Sequence, residues 1–221
     1  MDVMDELGPR FERETGHRLS FSYDPTNLLK RRIAAGETFD VVIATRQALD
    51  EFAGLGVVAR DGCADVGRSG LGVSVRRNAR KPDISTVEAF KRALLAAKTV
   101  VRSKDGASGA YFEALLDRLG IADAMRGKVI LGPSGRVAET LVKGDADLAI
   151  QQISELLPVT GADFAGPFPA ELQHYTVFSA GASARSTAPD RAKAFIDALG
   201  TAAAEALFKA KGLEPIAADV D

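Results

Sequence analysis

"SKDGASGAYFEALLDRLG", Ser103 to Gly120, holds the step from which the rest of the chain can be read. An apolar run, "TVVR" (Thr99 to Arg102), ends just before it. Gly106 and Gly109 then let the backbone turn and come close to a neighbour. Tyr111, Phe112, Leu115, Leu116 and Leu119 follow at the spacing of one helical face. The unit is therefore strand, glycine loop, helix, with Ser108 placed as a cap. The first N–H groups of such a helix lack intrahelical acceptors and carry roughly half a positive charge, which suits an anion. The simpler reading is that Ser108 serves only its own helix.

The same alternation runs outward in both directions. Leu19–Tyr23, Asp40–Ala44, Leu71–Arg76, Thr99–Arg102, Lys128–Leu131, Asp147–Ile150 and Tyr175–Ser179 read as strands with amphipathic helices between them. Phe195, Ile196, Leu199, Leu207 and Phe208 mark the last helical faces. The pattern predicts an α/β fold with mostly parallel sheets flanked by helices. "RRNARKPD" and "GPFPAELQH" interrupt the periodicity and read as crossings between two lobes. Residues 1–76 with 175–221 would form one lobe and 77–174 the other, with a hinge and a ligand cleft between them.

Composition narrows the function. Lys and Arg number 28 against 30 Asp and Glu, a net charge of -2 that offers no field for nucleic acid or an anionic membrane. Cys63 is the single cysteine, which excludes an internal disulfide and a thiolate-rich metal site. Neither a membrane-spanning apolar run nor a signal peptide is visible. A nucleophile elbow, a zinc-protease helix and a phosphate loop are all missing, and "GLG" lacks the third glycine of a dinucleotide fingerprint. His17 and His174 are far apart in sequence and make no metal pair, so neither a metal nor a cofactor is expected.

Three further loops lie where α/β sheets bind ligands. "DPTNLLKRRIAAG" follows the strand ending at Tyr23, with Thr26 or Asn27 as a cap; "GPSGRVAETL" follows Leu131; "QQISEL" follows Ile150. With "GPRFERETGHRLSFSYDPTNLLKRRIAAGETFDVVIA", "ASGAYFEALLDRLGI", "VAETLVKGDADLAI", "FPAELQHYTVFSAGAS" and "FKAKGLEP", the chain resembles periplasmic solute-binding proteins of the molybdate-binding type, nearly end to end. The resemblance implies the type II periplasmic-binding-protein fold and a small anion, oxyanion or carboxylate, held between two lobes. It further implies an extracytoplasmic location and delivery to the membrane subunits of an ABC importer, without insertion of this chain into the membrane. Carried over by position, the ligand-facing residues are Thr26, Asn27, Ser108, the Gly109 backbone, Gln151 and Tyr175.

Three departures qualify that picture. "DPTN" stands where molybdate binders carry serines, and Gln151 and Gln152 stand where they carry apolar residues and a tyrosine. Amides accept as well as donate, so these changes favour an organic carboxylate over a fully deprotonated oxyanion. Relatives also begin with an apolar strand ahead of the helix at "MDVMDELGPRF", and the expectation is that this strand and a signal peptide are absent from the chain as given.

An enzyme on the same fold, resembling aconitate isomerase, is the alternative. It requires a placed acid and base, and Tyr175, His174, Lys104 and Asp105 are the residues near enough to the predicted cleft to be considered. The ligand-sensing domain of a transcription regulator would require a DNA-binding domain that the chain does not contain.

Overall fold

The computed structural model describes residues 2–24, 26–133 and 135–216. In chain order its elements are α1 (Asp2–Thr15), α2 (Thr26–Ala34), β1 (Val41–Thr45), α3 (Arg46–Gly54), β2 (Val58–Ser69), β3 (Leu71–Arg76), α4 (Val87–Ala96), β4 (Val100–Ser103), α5 (Ala107–Arg118), α6 (Ala122–Met125), β5 (Val129–Gly132), α7 (Glu139–Lys143), β6 (Leu148–Gln152), α8 (Ile153–Leu156), β7 (Ala162–Pro167), β8 (Thr176–Ser183), α9 (Pro189–Leu199) and α10 (Ala202–Ala210). They form two compact units, Met1–Arg68 with Thr176–Asp221, and Ser69–Tyr175.

In the first unit, β1, β8 and β2 make a three-stranded sheet in that order. β1 and β8 pair antiparallel from Val41↔Ala182 to Thr45↔Phe178. The period-two pattern of β1 feeds two cores. Val42 and Ala44 join Leu49, Phe52 and Val58, while Val41 and Ile43 pack against Phe11, Phe195, Ile196, Leu199 and Phe208. Phe11 meets Phe195 edge-on at 5.2 Å, a geometry favoured by the ring quadrupoles. Threonine hydroxyls start two of the helices, Thr45 accepting from Ala48 N–H and Thr201 from Ala204 N–H.

In the second unit the sheet order is β5-β4-β6-β3-β7. β4 pairs parallel with β5 and with β6, as helical crossovers require. β3 pairs antiparallel with both β6 and β7. This sheet is thus mixed rather than mostly parallel, with its parallel pairing in β5-β4-β6. One face is covered by α4 and α5 through Phe90, Leu94, Phe112, Leu115 and Leu116, against Val73, Val100, Leu148 and Ile150. The opposite face packs Val101 and Ala149 against Val137, Leu141 and Leu156.

Several expectations shift for identifiable reasons. Leu19–Tyr23 is not a strand. Among the described residues no strand pairs with it; the Leu19 N–H goes instead to Glu12 at 2.7 Å, and Phe21 and Tyr23 stack on each other, both exposed. β2 and β7 escape a periodicity reading because "VARDGCADVGRS" and "ADFAGP" carry charges, glycines and a proline where alternation would show. β3 belongs to the second unit, since its two ladders run to β6 and β7, so the division falls at Arg68/Ser69 and not after Arg76.

Candidate functional site

The predicted ligand loops of the second unit meet at the carboxyl ends of β4 and β6. α5 follows β4 and packs on β6, running antiparallel to both, so its N-terminus lies over their ends. Phe112 packs in the same core as Ile150. Ser108 is one turn earlier on α5, and Gln152 is two residues later on β6, on the same face of the sheet as Ile150.

The turn into α5 is built tightly. Ser103 Oγ accepts the Gly106 N–H at 3.0 Å, and Gly106, not Ser108, is the cap residue. Ser108 is the second residue of the helix, 2% exposed, so it does not cap α5, and no side chain takes that role; Ser103 holds the turn ahead of the helix instead. The Gly109 and Ala110 N–H groups reach back to the Gly106 carbonyl at 3.1 and 3.3 Å. Ala107 and Ser108 then carry the first-turn donors without an intrahelical acceptor. Gly109 is required by contact: a Cβ there would stand 2.0 Å from the Ser103 carbonyl oxygen.

The two glutamines divide their roles. Gln151, 1% exposed, faces α7's side of the sheet, where its Oε1 accepts the Val137 N–H at 3.2 Å. The Gln151 side chain and the Gln152 backbone N–H also favour the ionised form of the Glu155 carboxyl. Gln151 is therefore engaged inside the unit. Gln152 points to the α5 side, in register with Leu71. It is 5% exposed, and its Oε1 is buried without a partner among the described residues. An orphaned amide oxygen costs on the order of 1–3 kcal/mol, so it marks a place where something else belongs.

Glu155 went unnoticed in the sequence. Its one signal is the four-residue step from Gln151 in "QQISEL". Burial of the carboxyl pushes it up to about 7, with the hydrogen bonds from Gln151 and Gln152 opposing the shift. The residue as a whole keeps part of its surface accessible.

The remaining predicted residues are placed as follows. Tyr175 is exposed and stands two residues after Gln173, whose amide brackets the Leu71 N–H (2.6 Å) and carbonyl (3.0 Å). Thr26 and Asn27 open α2 in the first unit, Thr26 partly buried and Asn27 exposed. His174 stacks on Tyr111 at 4.5 Å, and the Tyr111 hydroxyl donates to the Leu172 carbonyl. Cys63 sits beside Arg46, Asp50 and Asp65, and burial pushes its thiol up, which makes it a poor nucleophile. No group of three or more metal-ligating side chains occurs among the described residues. A separate cavity of about 430 Å³ opens at the other end of the second sheet, between Arg76, Arg80, Ala93, Ala97 and Leu148; the Asp147 carboxylate on its wall is spent on the Lys98 and Thr99 N–H groups.

Known proteins share this architecture. The periplasmic molybdate-binding protein of Azotobacter vinelandii superimposes with a TM-score of 0.80 at 18% identity, over 96% of this chain and 94% of that one. The sulfate-binding protein of Mycobacterium tuberculosis gives 0.76 at 20% identity, over 97% and 83%. In sequence, an aconitate isomerase of a Pseudomonas species is 34% identical over 99% of this chain and 85% of its own length. The model of one family, described as bacterial extracellular solute-binding protein, matches residues 1–214. Among the described residues no helix is long and apolar enough to cross a membrane. With its two sheets flanked by helices and this match over nearly its whole length, the chain belongs to the family of bacterial extracellular solute-binding proteins.

Proposed function

We propose that this protein binds a small organic carboxylate at the carboxyl ends of β4 and β6, outside the cytoplasm, as the solute receptor of an ABC importer. The observation that carries the reading is the buried Gln152 Oε1, unpartnered among the described residues at the carboxyl end of β6, on the face of the sheet that α5 covers. The first-turn N–H groups and the Ser108 hydroxyl supply donors for a carboxylate. The Gln152 amide supplies an acceptor, which a hydroxyl or a protonated acid group satisfies and a bare tetrahedral oxyanion does not. Tyr175, the Gly109 backbone, and Thr26 and Asn27 of the first unit are further proposed contacts. Gln151 acts through its hold on Val137 and Glu155.

The test is a thermal-shift and calorimetric screen against molybdate, tungstate, sulfate, phosphate and small di- and tricarboxylates. A ligand at 100 times its dissociation constant stabilises by about 2.7 kcal/mol, which such a screen resolves. Stabilisation by carboxylates alone supports the proposal; stabilisation by molybdate or sulfate alone overturns it.

A second reading, an isomerase acting on a small unsaturated polycarboxylate in the same site, is favoured by two observations. They are the 34% identical relative named aconitate isomerase and the buried carboxyl of Glu155. Incubating each carboxylate that binds and following its conversion separates receptor from enzyme.

A further inference from the structure

Arg102, paired in register with Ile150 of β6, carries its side chain to the α5 side of the sheet. Its Nη2 donates to Glu113 Oε2, on the second turn of α5, at 2.7 Å. Its Nη1 donates to the Ser103 carbonyl at 3.0 Å. The guanidinium also lies against the first turn of the helix, since a Cβ added at Gly109 would stand 3.2 Å from Nη1. The Arg102 side chain is 12% exposed, whereas that of Glu113 is 67% exposed. Gln152 follows Ile150 by two residues on the same face, about 7 Å further along the neighbouring strand.

A cation is the wrong charge for this place. The start of a helix presents roughly half a positive charge, so basic side chains are favoured at the opposite end. Here a guanidinium largely removed from water packs against that start. Glu113, its carboxylate partner, is exposed, where an ion pair contributes little. Lys104 and Asp105, both exposed in the turn before the helix, carry opposite charges and offset each other. The field at the carboxyl end of β4 is therefore positive from two sources, and on the same face the buried Gln152 Oε1 has no partner among the described residues. We propose that Arg102 selects the charge of the ligand, so that the site takes small di- and tricarboxylates in preference to monocarboxylates. The inference rests on the carboxylate-receptor reading and names the class of acid within it.

One carboxylate is matched by the first-turn N–H groups of α5, and that suits any small acid. A second negative charge gains attraction from the guanidinium that a monoacid forgoes, and a partly buried charge is weakly screened by water and salt. Arg102 acts through its field, because its hydrogen bonds to Ser103 and Glu113 are what fix it in place. Those bonds also tie α5 to β4, so a neutral replacement has two effects. Loosening α5 weakens every acid alike, whereas losing the charge weakens the polyacids selectively.

The test is a calorimetric cycle of ligand charge against side-chain charge on the full chain. Succinate, glutarate and tricarballylate are the probes, each compared with its monoamide, which keeps the shape and drops one charge. Wild-type protein is expected to prefer acid over amide, and Arg102→Gln to reduce that preference about tenfold. Arg102→Lys, which keeps the charge without the planar fork, is expected to retain most of it. Glu113→Gln removes the counter-charge from an exposed position and is expected to widen the preference by up to about fivefold; this arm decides the matter even where Arg102→Gln does not fold. A preference unchanged in Arg102→Gln, or not widened in Glu113→Gln, overturns the inference and leaves the receptor proposal standing. So does wild-type protein that binds the monoamides as tightly as the acids. Wild-type protein that binds none of the carboxylates overturns the receptor proposal and this inference with it.

Discussion

Gln151 Oε1 accepts the backbone N–H of Val137 at 3.2 Å, while the neighbouring Gln152 Oε1, equally buried, accepts nothing among the described residues. Two adjacent amides of identical chemistry thus face opposite sides of one strand with opposite consequences. Replacing Gln151 by Leu strands the Val137 N–H and removes a partner of Glu155, and unfolding stability is expected to fall by roughly 1–3 kcal/mol. Replacing Gln152 by Leu removes an orphan, and stability is expected to hold or rise while carboxylate affinity drops. Urea melts and calorimetry on the two variants check the pair; equal losses of stability would sink the division.

Ser108→Ala is expected to leave the melting temperature close to wild type, because the N-terminal turn of α5 is held by Ser103 and Gly106. Affinity for a bound carboxylate should fall by roughly 1–3 kcal/mol. Calorimetry reads this directly, and unchanged affinity removes Ser108 from the site.

Gly109→Ala forces a methyl group to within 2.0 Å of the Ser103 carbonyl oxygen unless the turn moves. Backbone is the obstacle, so relief by rotating a side chain is not open. A stability loss of about 1–3 kcal/mol is expected from such overpacking, with ligand binding lost in parallel because α5 is displaced. A thermal melt showing no change would mean that α5 can slide away from β4.

The Glu155 carboxyl is raised from 4.5 to about 7. Below roughly pH 4 it is protonated both in the unfolded chain and in the fold, and stability is unaffected. Between the two values only the unfolded chain ionises, so the fold loses stability as pH rises, and above the folded value the deficit is complete. Glu155→Gln should therefore melt at the wild-type temperature near pH 4 and higher than wild type near pH 8. The gain should be on the order of 1–3 kcal/mol. A variant less stable than wild type near pH 8 would show that the carboxyl is ionised and supported by a partner.

Much of the second unit was legible because its strands are short apolar runs followed by glycine or polar loops. Val100–Ser103 into Ala107–Arg118 is the clearest case. β2 and β7 were not legible, since a strand made of Asp, Gly, Arg and Pro takes its identity from the ladder of its neighbour. Leu19–Tyr23 is the converse: alternation without a paired neighbour among the described residues yields extended chain and no sheet.

The sequence by itself determined the alternation of elements, the anion-favouring helix start after Gly106, and the presence of two adjacent glutamines at the end of an apolar strand. These are local matters, set by side-chain period and backbone freedom. Only the tertiary structure decided that Ser103 holds the turn ahead of α5, that Gln151 is spent on Val137 while Gln152 is left open, and that burial raises the Glu155 carboxyl. Each of those depends on which backbone groups a neighbouring element has already used, and hydrogen-bond supply and desolvation are properties of the packed unit, not of any single stretch of residues.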